Sequence, residues 1–317
     1  MSIFKGIIKL FFLFFIILTI LLIYYLSPTG LSSKQIIFTI PLNTEQDTIV
    51  HMLRKDNFIH SEKVFNIVSG LTNFPGTVEP GSYLLSHNMN ALQITNTLLF
   101  HPYQKWIVLV PGLRLDQTAE RLAKKFNWDK THLQDFLKNA NEGYMYPDTY
   151  LLNVDYTGKE VAQRLISNFN DHLIPQMQKD LLSQNVRIDT AVKIASLIER
   201  ESGGDSDKAL IAGIIWNRLD QNMKLQIDAT VQYAIGTPAD WWPHVTPQDL
   251  TVNSLYNTYI IRKLPPGPID SPGLSSIKAA IYPAQTDCLF YLHDHNKQIH
   301  CAKTYEEHLK NIEEYLQ

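Results

Sequence analysis

An unbroken run of apolar residues opens the chain. It extends from Leu10 to Leu26 and, counted from Ile7, is long enough to cross a bilayer, because a helix of about 20 residues spans the hydrocarbon core. A cleaved signal peptide usually has a shorter apolar region and ends in a small-x-small site, which the segment YYLSPTG does not offer. The pattern therefore predicts an uncleaved transmembrane helix over residues 10–26.

Positive charge before this run predicts its orientation. Lys5 and Lys9 precede the apolar residues, and lysines flank membrane spans on the cytoplasmic side. Residues 1–9 are then a cytoplasmic tail, and everything after Ser27 lies outside the cytoplasm. In a bacterium, this arrangement describes a single-pass protein of the inner (plasma) membrane whose main part lies on the periplasmic or outer face.

Residues 35–100 are predicted to form a small α+β domain. Ile49, Met52 and Leu53 recur at the helical period. The predicted elements are a strand at 35–41 and helices at 44–58 and 61–71, followed by the segments PGSYLL and NALQITNTLLF. No paired catalytic groups occur in this part of the sequence, so a binding or spacing role is expected.

Residues 101–317 are predicted to form a larger domain. A strand is predicted over 105–112, helices over 115–126, 129–140 and about 208–219, and an extended segment over 225–231, where apolar and polar residues alternate. A chain of 317 residues with 45% hydrophobic residues can bury a good-sized core. The net charge of −3 argues against a nucleic-acid partner, which usually requires a basic excess.

One helix carries the clearest candidate chemistry. On a helical wheel of the segment ASLIERES, Glu201 projects into the apolar face and Glu199 lies at its edge. A carboxyl group among apolar neighbours has a raised pKa and can hold a proton near neutral pH, as a general acid must. A partly buried glutamate paired with Arg200 or Arg218 explains this helix equally well.

Polar and aromatic side chains near this helix suit a sugar ligand. Asn217, Gln226 and Asp228 are suited to hydrogen bonds with sugar hydroxyls, or to holding a loop. Flat aromatic rings can stack on a sugar, although each ring taken singly is more often part of a core. The aromatic candidates are Trp241, Trp242, Tyr256 and Tyr259.

Six sequence blocks then follow one another over residues 142–284. They are EGYMYPDTY, ASLIERES, IWNRL, LQIDATVQYAIG, LYNTY and LPPGPIDSPGLSSIKAAIYPA. With these blocks, the anchor and the small domain, the chain resembles the membrane-bound endolytic murein transglycosylases of the MltG or YceG-like family. The resemblance implies an α+β fold with a LysM-like domain at 35–100 and a mixed α+β, lysozyme-like transglycosylase domain at 101–317.

The resemblance also implies a lytic transglycosylase reaction. Such enzymes cut nascent peptidoglycan strands at the MurNAc-GlcNAc β-1,4 bond and leave 1,6-anhydro-MurNAc ends, which could terminate strand elongation. The catalytic role falls on Glu201, with Glu199 as runner-up. Glu201 would protonate the departing glycosidic oxygen and then, as a carboxylate, take the proton of the muramoyl C6 hydroxyl that attacks C1.

The predicted substrate-binding residues come from the same blocks. They are Glu142, Ser202, Asn217, Gln226, Asp228, Tyr256, Asn257 and Tyr259. No cofactor is expected. The expected partners are peptidoglycan glycan strands, the inner membrane and penicillin-binding peptidoglycan synthases.

Three alternatives remain open at this point. A hydrolytic muramidase needs a second carboxylate about 5 to 9 Å from the first, for which Glu142 and Asp228 are candidates. A non-catalytic glycan-binding scaffold leaves Glu201 without a purpose. A metal site is the third alternative, because alternating histidines on a strand share one face, but no carboxylate set with fixed spacing accompanies them. The histidines concerned are His293, His295, His300 and His308.

Some positions depart from the family pattern. Ile227 and Ala229 stand where the family commonly has Thr and Pro, and Asp270 and Ser271 stand where Ala-Asn is usual. These departures put the detailed substrate preference in doubt, but they do not put the type of reaction in doubt.

The two cysteines lie in a predicted hairpin whose turn is at Asp294 and His295. The register predicted from that turn places Cys288 opposite Cys301, and opposed strand residues are close enough for a disulfide. An oxidising environment outside the cytoplasm would preserve the bond. Two buried thiols are the alternative.

Overall fold

The computed structural model describes residues 2–71 and 78–316, and its first element is the predicted membrane helix. Helix α1 spans Ser2–Leu26. Within it, Ile7–Leu26 is 20 residues long, apolar and unburied by the rest of the chain. Among the described residues, this is the one helix whose length and composition suit a membrane crossing.

A first structural unit comprises residues 1–107 and 150–156. Beyond α1, its elements are β1 Ile36–Ile40, α2 Gln46–Lys55, α3 Glu62–Leu71, β2 Gly81–Leu85, α4 Ala91–Phe100, β3 Gln104–Val108 and β4 Thr149–Asn153. The strands form one sheet in the order β1-β2-β3-β4, and β1 pairs antiparallel with β2. The succession β1, α2, α3 confirms the strand and the two helices that the sequence predicts. Strand β2 lies in the segment PGSYLL, to which the sequence assigned no element. The predicted domain boundary near His101 precedes the observed division after Ile107.

The core of this unit follows from its sequence periods. Helix α2 buries Ile49, Val50 and Leu53, which lie on one face. Strand β1 buries Phe38 and Ile40, which alternate with a more exposed position. Full burial of each such side chain contributes about 1.5–3 kcal/mol.

A second unit comprises residues 108–149 and 157–317. Its helices are α5 Leu115–Phe126, α6 Lys130–Asn139, α7 Gly158–His172, α8 Pro175–Ser183, α9 Ile188–Glu201, α10 Lys208–Asp220, α11 Asp228–Ile235, α12 Leu274–Ile281 and α13 Tyr305–Leu316, with a 3-10 turn at Asp249–Thr251. Its strands β5 Phe290–His293 and β6 Ile299–Ala302 form a separate hairpin. Helices and strands together confirm the α+β class.

Helix α9 lies at the centre of the second unit. It packs against α10, α11 and α12, and Ala191, Val192 and all residues from Ile194 to Ile198 are buried. Apolar residues at the helical period therefore bury this helix, as its wheel predicts. This burial holds the last turn, which carries Glu201, in a fixed place.

The segment 225–231 differs from its prediction. It was expected to be extended throughout, but helix α11, Asp228–Ile235, begins inside it. Gln226 adopts a left-handed backbone with φ 54°, which interrupts a strand. The hydroxyl of buried Thr258 accepts the N–H of Ile227 at 2.9 Å, so that donor is satisfied without a strand partner. The prediction of a continuous extended segment is wrong for these reasons.

The hairpin is present, but its register also differs from the prediction. The residue opposite Cys301 is Tyr291, not Cys288. The turn is longer than expected, because the Asp294 carboxylate accepts the backbone N–H of Gln298 at 2.8 Å. An aspartate that binds backbone N–H groups further along is a common way to build a turn.

The two cysteines are joined despite the different register. Cys288, which precedes β5, and Cys301 on β6 form a disulfide with their Cα atoms 5.9 Å apart. The bond closes a short loop and is expected to contribute about 2–3 kcal/mol to stability.

We expect the full-length protein, isolated from membranes, to contain no free thiol. Thiol titration of the denatured, unreduced protein measures this directly, and the same sample after reduction is the control, because it should release two thiols per chain. Two thiols before reduction would contradict the bond.

Candidate active site

Glu201 is the last residue of α9 and lies at the end of a buried helix. The helix stops because Ser202 adopts an extended backbone. The next N–H, that of Gly203, donates to the Asp207 carboxylate at 2.8 Å instead of continuing the helix. The Glu201 side chain is therefore only partly buried, although residues 194–198 before it are fully buried.

A cavity of about 420 Å³ opens at this helix end. Side chains from α9, α10, α11, the hairpin, α13 and two loop segments contribute to its wall. The lining residues are Glu201, Arg218, Leu225, Gln226, Asp228, Tyr259, Phe290, Tyr291, Tyr305 and His308. All belong to the second unit, so one folded body supplies the whole site.

The surroundings of Glu201 favour its protonated form. Burial raises the pKa of Glu201 above its ordinary value, a hydrogen bond from Tyr291 lowers it in part, and the negative charge of Asp228 raises it further. His293 and Arg200 lower the pKa more weakly. A carboxyl group with these neighbours carries a proton at higher pH than an exposed glutamate does, as a general acid requires.

Arginine pairing does not account for Glu201. The Arg218 guanidinium donates to the backbone carbonyls of Leu289 and Leu225, each at 2.5 Å. The Arg200 guanidinium lies over the Trp242 ring, 4.0 Å from its centroid. In the described part of the chain, neither arginine forms an ion pair with Glu201.

Glu199 is held quite differently from Glu201. Its Oε2 accepts the N–H of Gly273 at 2.9 Å and the hydroxyl of Ser276 at 2.6 Å, at the start of α12. The Lys208 ammonium lies 3.6 Å from its other oxygen. Glu199 thus fastens α12 to α9, which favours Glu201 as the reacting group.

Three of the predicted substrate-binding residues line the cavity. The Tyr259 hydroxyl donates to Asp228 at 2.5 Å, and Asp228 is the exposed first residue of α11. Exposed Gln226 stands beside it. These side chains present hydrogen-bonding groups near Glu201, as a sugar ligand would need.

Two other predicted residues bind backbone groups. The Asn217 amide donates to the carbonyl oxygens of Thr286 and Cys288 at 2.7 and 3.1 Å. The buried Asn257 amide donates to those of Leu250 and Val252 at 3.0 and 2.9 Å. Both side chains hold loops, and both are absent from the cavity lining.

The remaining predicted residues also lie outside the lining. Ser202 caps α9, and the Tyr256 ring packs 4.6 Å from that of Tyr233. Glu142 accepts the Leu115 N–H at 2.9 Å and the Tyr233 hydroxyl at 3.2 Å, and burial raises the pKa of Glu142 to about 7. Glu142 belongs to a separate polar cluster.

That cluster also contains the predicted stacking tryptophans. The Arg114 guanidinium lies 4.2 Å from the Trp242 centroid and 5.7 Å from that of Trp241. Asp270, one of the departures from the family pattern, is fully buried there, and burial raises the pKa of Asp270 well above its usual range. These tryptophans contact cations of the protein and are not in the lining of the Glu201 cavity.

The cavity contains aromatic residues that the sequence did not single out as a binding surface. The Phe290 ring is 5.5 Å from His308 and 5.8 Å from Tyr305, and Tyr305 is 60% exposed. These three residues form an aromatic surface that suits the face of a pyranose ring. Alternation along the hairpin was a signal for Phe290 alone, because Tyr305 and His308 lie on α13, and the sequence does not tell which hairpin face meets Glu201.

Three of the four histidines considered as metal ligands have other contacts, and the fourth, His295, is exposed. His293 Nε2 lies 2.7 Å from Asp207, His300 Nε2 lies 3.1 Å from Asp294, and His308 stacks on Phe290. Within residues 2–71 and 78–316, no three His, Cys, Asp or Glu side chains are grouped as metal ligands would be.

Comparisons with known proteins give consistent results. A model of the YceG-like family matches residues 38–314. The endolytic murein transglycosylase of Bacillus subtilis is 30% identical over 92% of this chain and 88% of its own length. The protein of the same name from Streptococcus pneumoniae (strain D39) is 31% identical over 55% of this chain and 32% of its own length. A crystal structure of a yceG-like protein from Listeria monocytogenes is 29% identical, covers 88% of this chain and 99% of its own, and has a TM-score of 0.60.

Proposed function

We propose that this chain, which belongs to the YceG-like family, is a membrane-anchored lytic transglycosylase that cuts peptidoglycan glycan strands internally. The bond cleaved is the MurNAc-GlcNAc β-1,4 bond, and the product carries a 1,6-anhydro-MurNAc end. The observation that carries this proposal is one carboxyl group, Glu201, with a raised pKa in a cavity lined by hydrogen-bonding and aromatic side chains.

The mechanism uses this carboxyl group twice. Protonated Glu201 gives its proton to the glycosidic oxygen as the bond from that oxygen to C1 breaks. The resulting carboxylate takes the proton of the C6 hydroxyl, whose oxygen forms a new bond to C1. The proton count of Glu201 is restored, no water is consumed, and one group needs to be neutral first and anionic second.

Substrate binding is assigned to the walls of the cavity. The aromatic surface of Phe290, Tyr305 and His308 stacks against a sugar face. Gln226 and Asp228, which line the same cavity, hydrogen-bond to sugar hydroxyls. Holding the strand in this way keeps C1 and the C6 hydroxyl within reach of Glu201.

Hydrolysis is the competing reaction, and Asp228 is the observation in its favour. Asp228 lines the same cavity as Glu201 and its charge acts on that group, so it meets the first requirement for a second carboxylate. Glu142 does not line the cavity. The Tyr259 hydroxyl that donates to Asp228 favours a binding role for this carboxylate.

The products distinguish the two reactions. We expect the full-length protein in detergent, incubated with uncrosslinked glycan strands, to release fragments whose new ends are lighter by one water than hydrolysed ends. Mass spectrometry of the fragments measures this, with Glu201→Gln as the control for contaminating activity. Products of full hydrolysed mass would support a muramidase, and binding without cleavage would support a glycan-binding scaffold.

The anchor gives the proposed enzyme its place. Helix α1 would hold the catalytic unit on the outer face of the bacterial inner membrane, because Lys5 and Lys9 precede the span. Nascent glycan strands are made at that surface, next to penicillin-binding synthases. Cleavage there would terminate the elongation of a strand.

A further inference from the structure

The Tyr291 hydroxyl is the direct hydrogen-bonding partner of Glu201. It donates to Oε2 at 2.6 Å, and the described residues provide no donor for Oε1. We propose that Tyr291 is a positioning residue that holds Oε2 and thereby presents Oε1 to the substrate for proton exchange. This inference rests on the proposed function of Glu201 and adds a second residue to it.

The hairpin holds Tyr291 from several directions. Tyr291 on β5 is paired with Cys301 on β6, and Cys301 is bonded to Cys288 just before β5. The carbonyl of Leu289 accepts the Arg218 Nε–H at 2.5 Å. A side chain whose backbone is fixed on both sides loses little further freedom when it binds Glu201, so the contact is preorganised.

The same strand also contacts the segment that follows Glu201. His293 Nε2 lies 2.7 Å from Asp207 Oδ2, the same oxygen that accepts the N–H of Gly203. The hairpin therefore contacts the catalytic carboxyl through Tyr291, and through His293 it contacts Asp207, which binds the backbone just after α9. Both contacts set the position of the carboxyl relative to the cavity.

Several charged or titratable groups act on Glu201 besides Tyr291. They come from α9, α10, α11, the loop after α11 and β5, and they are Arg200, Arg218, Asp228, Tyr259 and His293. Tyr291 differs from them because it forms a hydrogen bond to the carboxyl. Burial and the charge of Glu201 raise the pKa of Tyr291 well above its usual range, so it remains a neutral donor throughout the neutral pH range.

Replacement by phenylalanine isolates the role of the hydroxyl. Tyr291→Phe keeps the ring but leaves Oε2 without its donor, which disfavours the carboxylate. The pKa of Glu201 should therefore rise above its value in the unmodified protein. Because the reaction starts from protonated Glu201, the alkaline limb of the kcat profile should move to higher pH.

The rate should fall while binding is largely kept. In Tyr291→Phe, Glu201 is a weaker acid and its carboxylate is held less firmly. We therefore expect kcat at neutral pH to fall by about tenfold. KM should change little, because the variant keeps the Tyr291 ring in the cavity wall and leaves the other lining side chains unchanged. A purely structural role for Tyr291 predicts lower stability with an unmoved pH profile.

The titration of Glu201 can be measured without any activity. We would label the glutamate side-chain carboxyls of the full-length protein with ¹³C in detergent micelles, and assign Glu201 by the signal that Glu201→Gln removes. Tyr282→Phe is the matched control, because Tyr282 also donates its hydroxyl to a carboxylate, that of Asp180 at 2.5 Å, but does so outside the cavity lining. Tyr291→Phe should move the Glu201 titration to higher pH, and Tyr282→Phe should not.

The outcomes separate the two proposals. An unmoved Glu201 titration in folded Tyr291→Phe overturns the positioning role, whatever the activity. Absence of strand cleavage by the unmodified protein overturns the proposed function but leaves the titration result standing. If Tyr291→Phe fails to fold, the unmodified protein can be labelled with ¹³C at the tyrosine ring carbon that carries the hydroxyl. The chemical shift of this carbon in Tyr291 should then change with pH at the same midpoint as the Glu201 carboxyl. Loss of this pH response in Glu201→Gln supports the contact, and a Tyr291 shift that does not respond to pH in the unmodified protein contradicts it.

Discussion

Glu201→Gln is expected to abolish strand cleavage while the protein stays folded. The amide has the shape of the carboxyl and can still accept the Tyr291 hydrogen bond, but it cannot exchange a proton. Loss of acid catalysis alone typically lowers the rate about 10²- to 10⁴-fold, and in the proposed mechanism the same group also supplies the base. Release of anhydro-ended fragments over time, followed by mass spectrometry, measures the loss.

Stability provides a second measurement on the same variant. The folded protein raises the pKa of Glu201, so it binds this proton more tightly than the unfolded chain does. The contribution of that proton to stability is complete at low pH and is lost as the pH rises through the folded-state pKa. A glutamine cannot ionise, so Glu201→Gln does not lose stability in this way as the pH rises. We therefore expect the variant to be at least as stable as the unmodified protein at pH 8.

Glu199→Gln is the matched comparison, one helical half-turn away. The glutamine keeps a carbonyl oxygen that can accept from Gly273 and Ser276, although it loses its charge interaction with Lys208. We therefore expect substantial activity with somewhat reduced stability. If Glu199→Gln is inactive and Glu201→Gln active, the assignment of the reacting carboxyl is wrong.

Local sequence patterns predicted the features that depend on nearby residues. The wheel of α9 placed Glu201 at its apolar face, because burial of a helix follows from a period of 3.6 residues. The strand and the two helices that open the first unit followed from similar periods. These patterns show which side of a helix or strand is buried in a core, and that side can be identified from the residues of the element alone.

Features that depend on distant residues were not predictable in the same way. The N–H of Ile227 is bonded by Thr258, and the left-handed Gln226 ends the extended segment, so α11 starts where a strand was expected. Tyr291 meets Glu201 across 90 positions of sequence. Neither periodicity nor composition specifies which of two hairpin faces approaches a helix end.

Polar residues in apolar segments could either hold a loop or bind a sugar. The structure distinguishes these two roles by the groups to which each side chain is hydrogen-bonded. Asn217 and Asn257 direct their amides to backbone carbonyls, which satisfies buried loop groups. Gln226 and Asp228 are exposed in the cavity. An amide that can bind either a loop or a sugar gives the same sequence signal in both cases.

Arg218 is the residue whose removal should most damage both the fold and the cavity. It is 9% exposed, it donates to the carbonyls of Leu225 and Leu289 on two different segments, and its guanidinium lies 5.1 Å from the Phe290 ring centroid. One side chain on α10 thus connects the segment that carries Gln226 with the strand that carries Tyr291.

Arg218→Met should lower the free energy of unfolding by about 3 kcal/mol, because the methionine fills part of the space but leaves the carbonyl groups of Lys224, Leu225 and Leu289 without this donor. Cleavage should fall at least about tenfold even at temperatures where the variant is folded, because the hairpin no longer holds Tyr291 against Glu201. Denaturant unfolding and strand cleavage measure the two effects. Arg164→Met, a change at an exposed arginine of α7, is the control and should alter neither. Normal stability and activity in Arg218→Met would show that the hairpin keeps its place without this arginine, so the disulfide and the Asp207 contact would then suffice to position Tyr291.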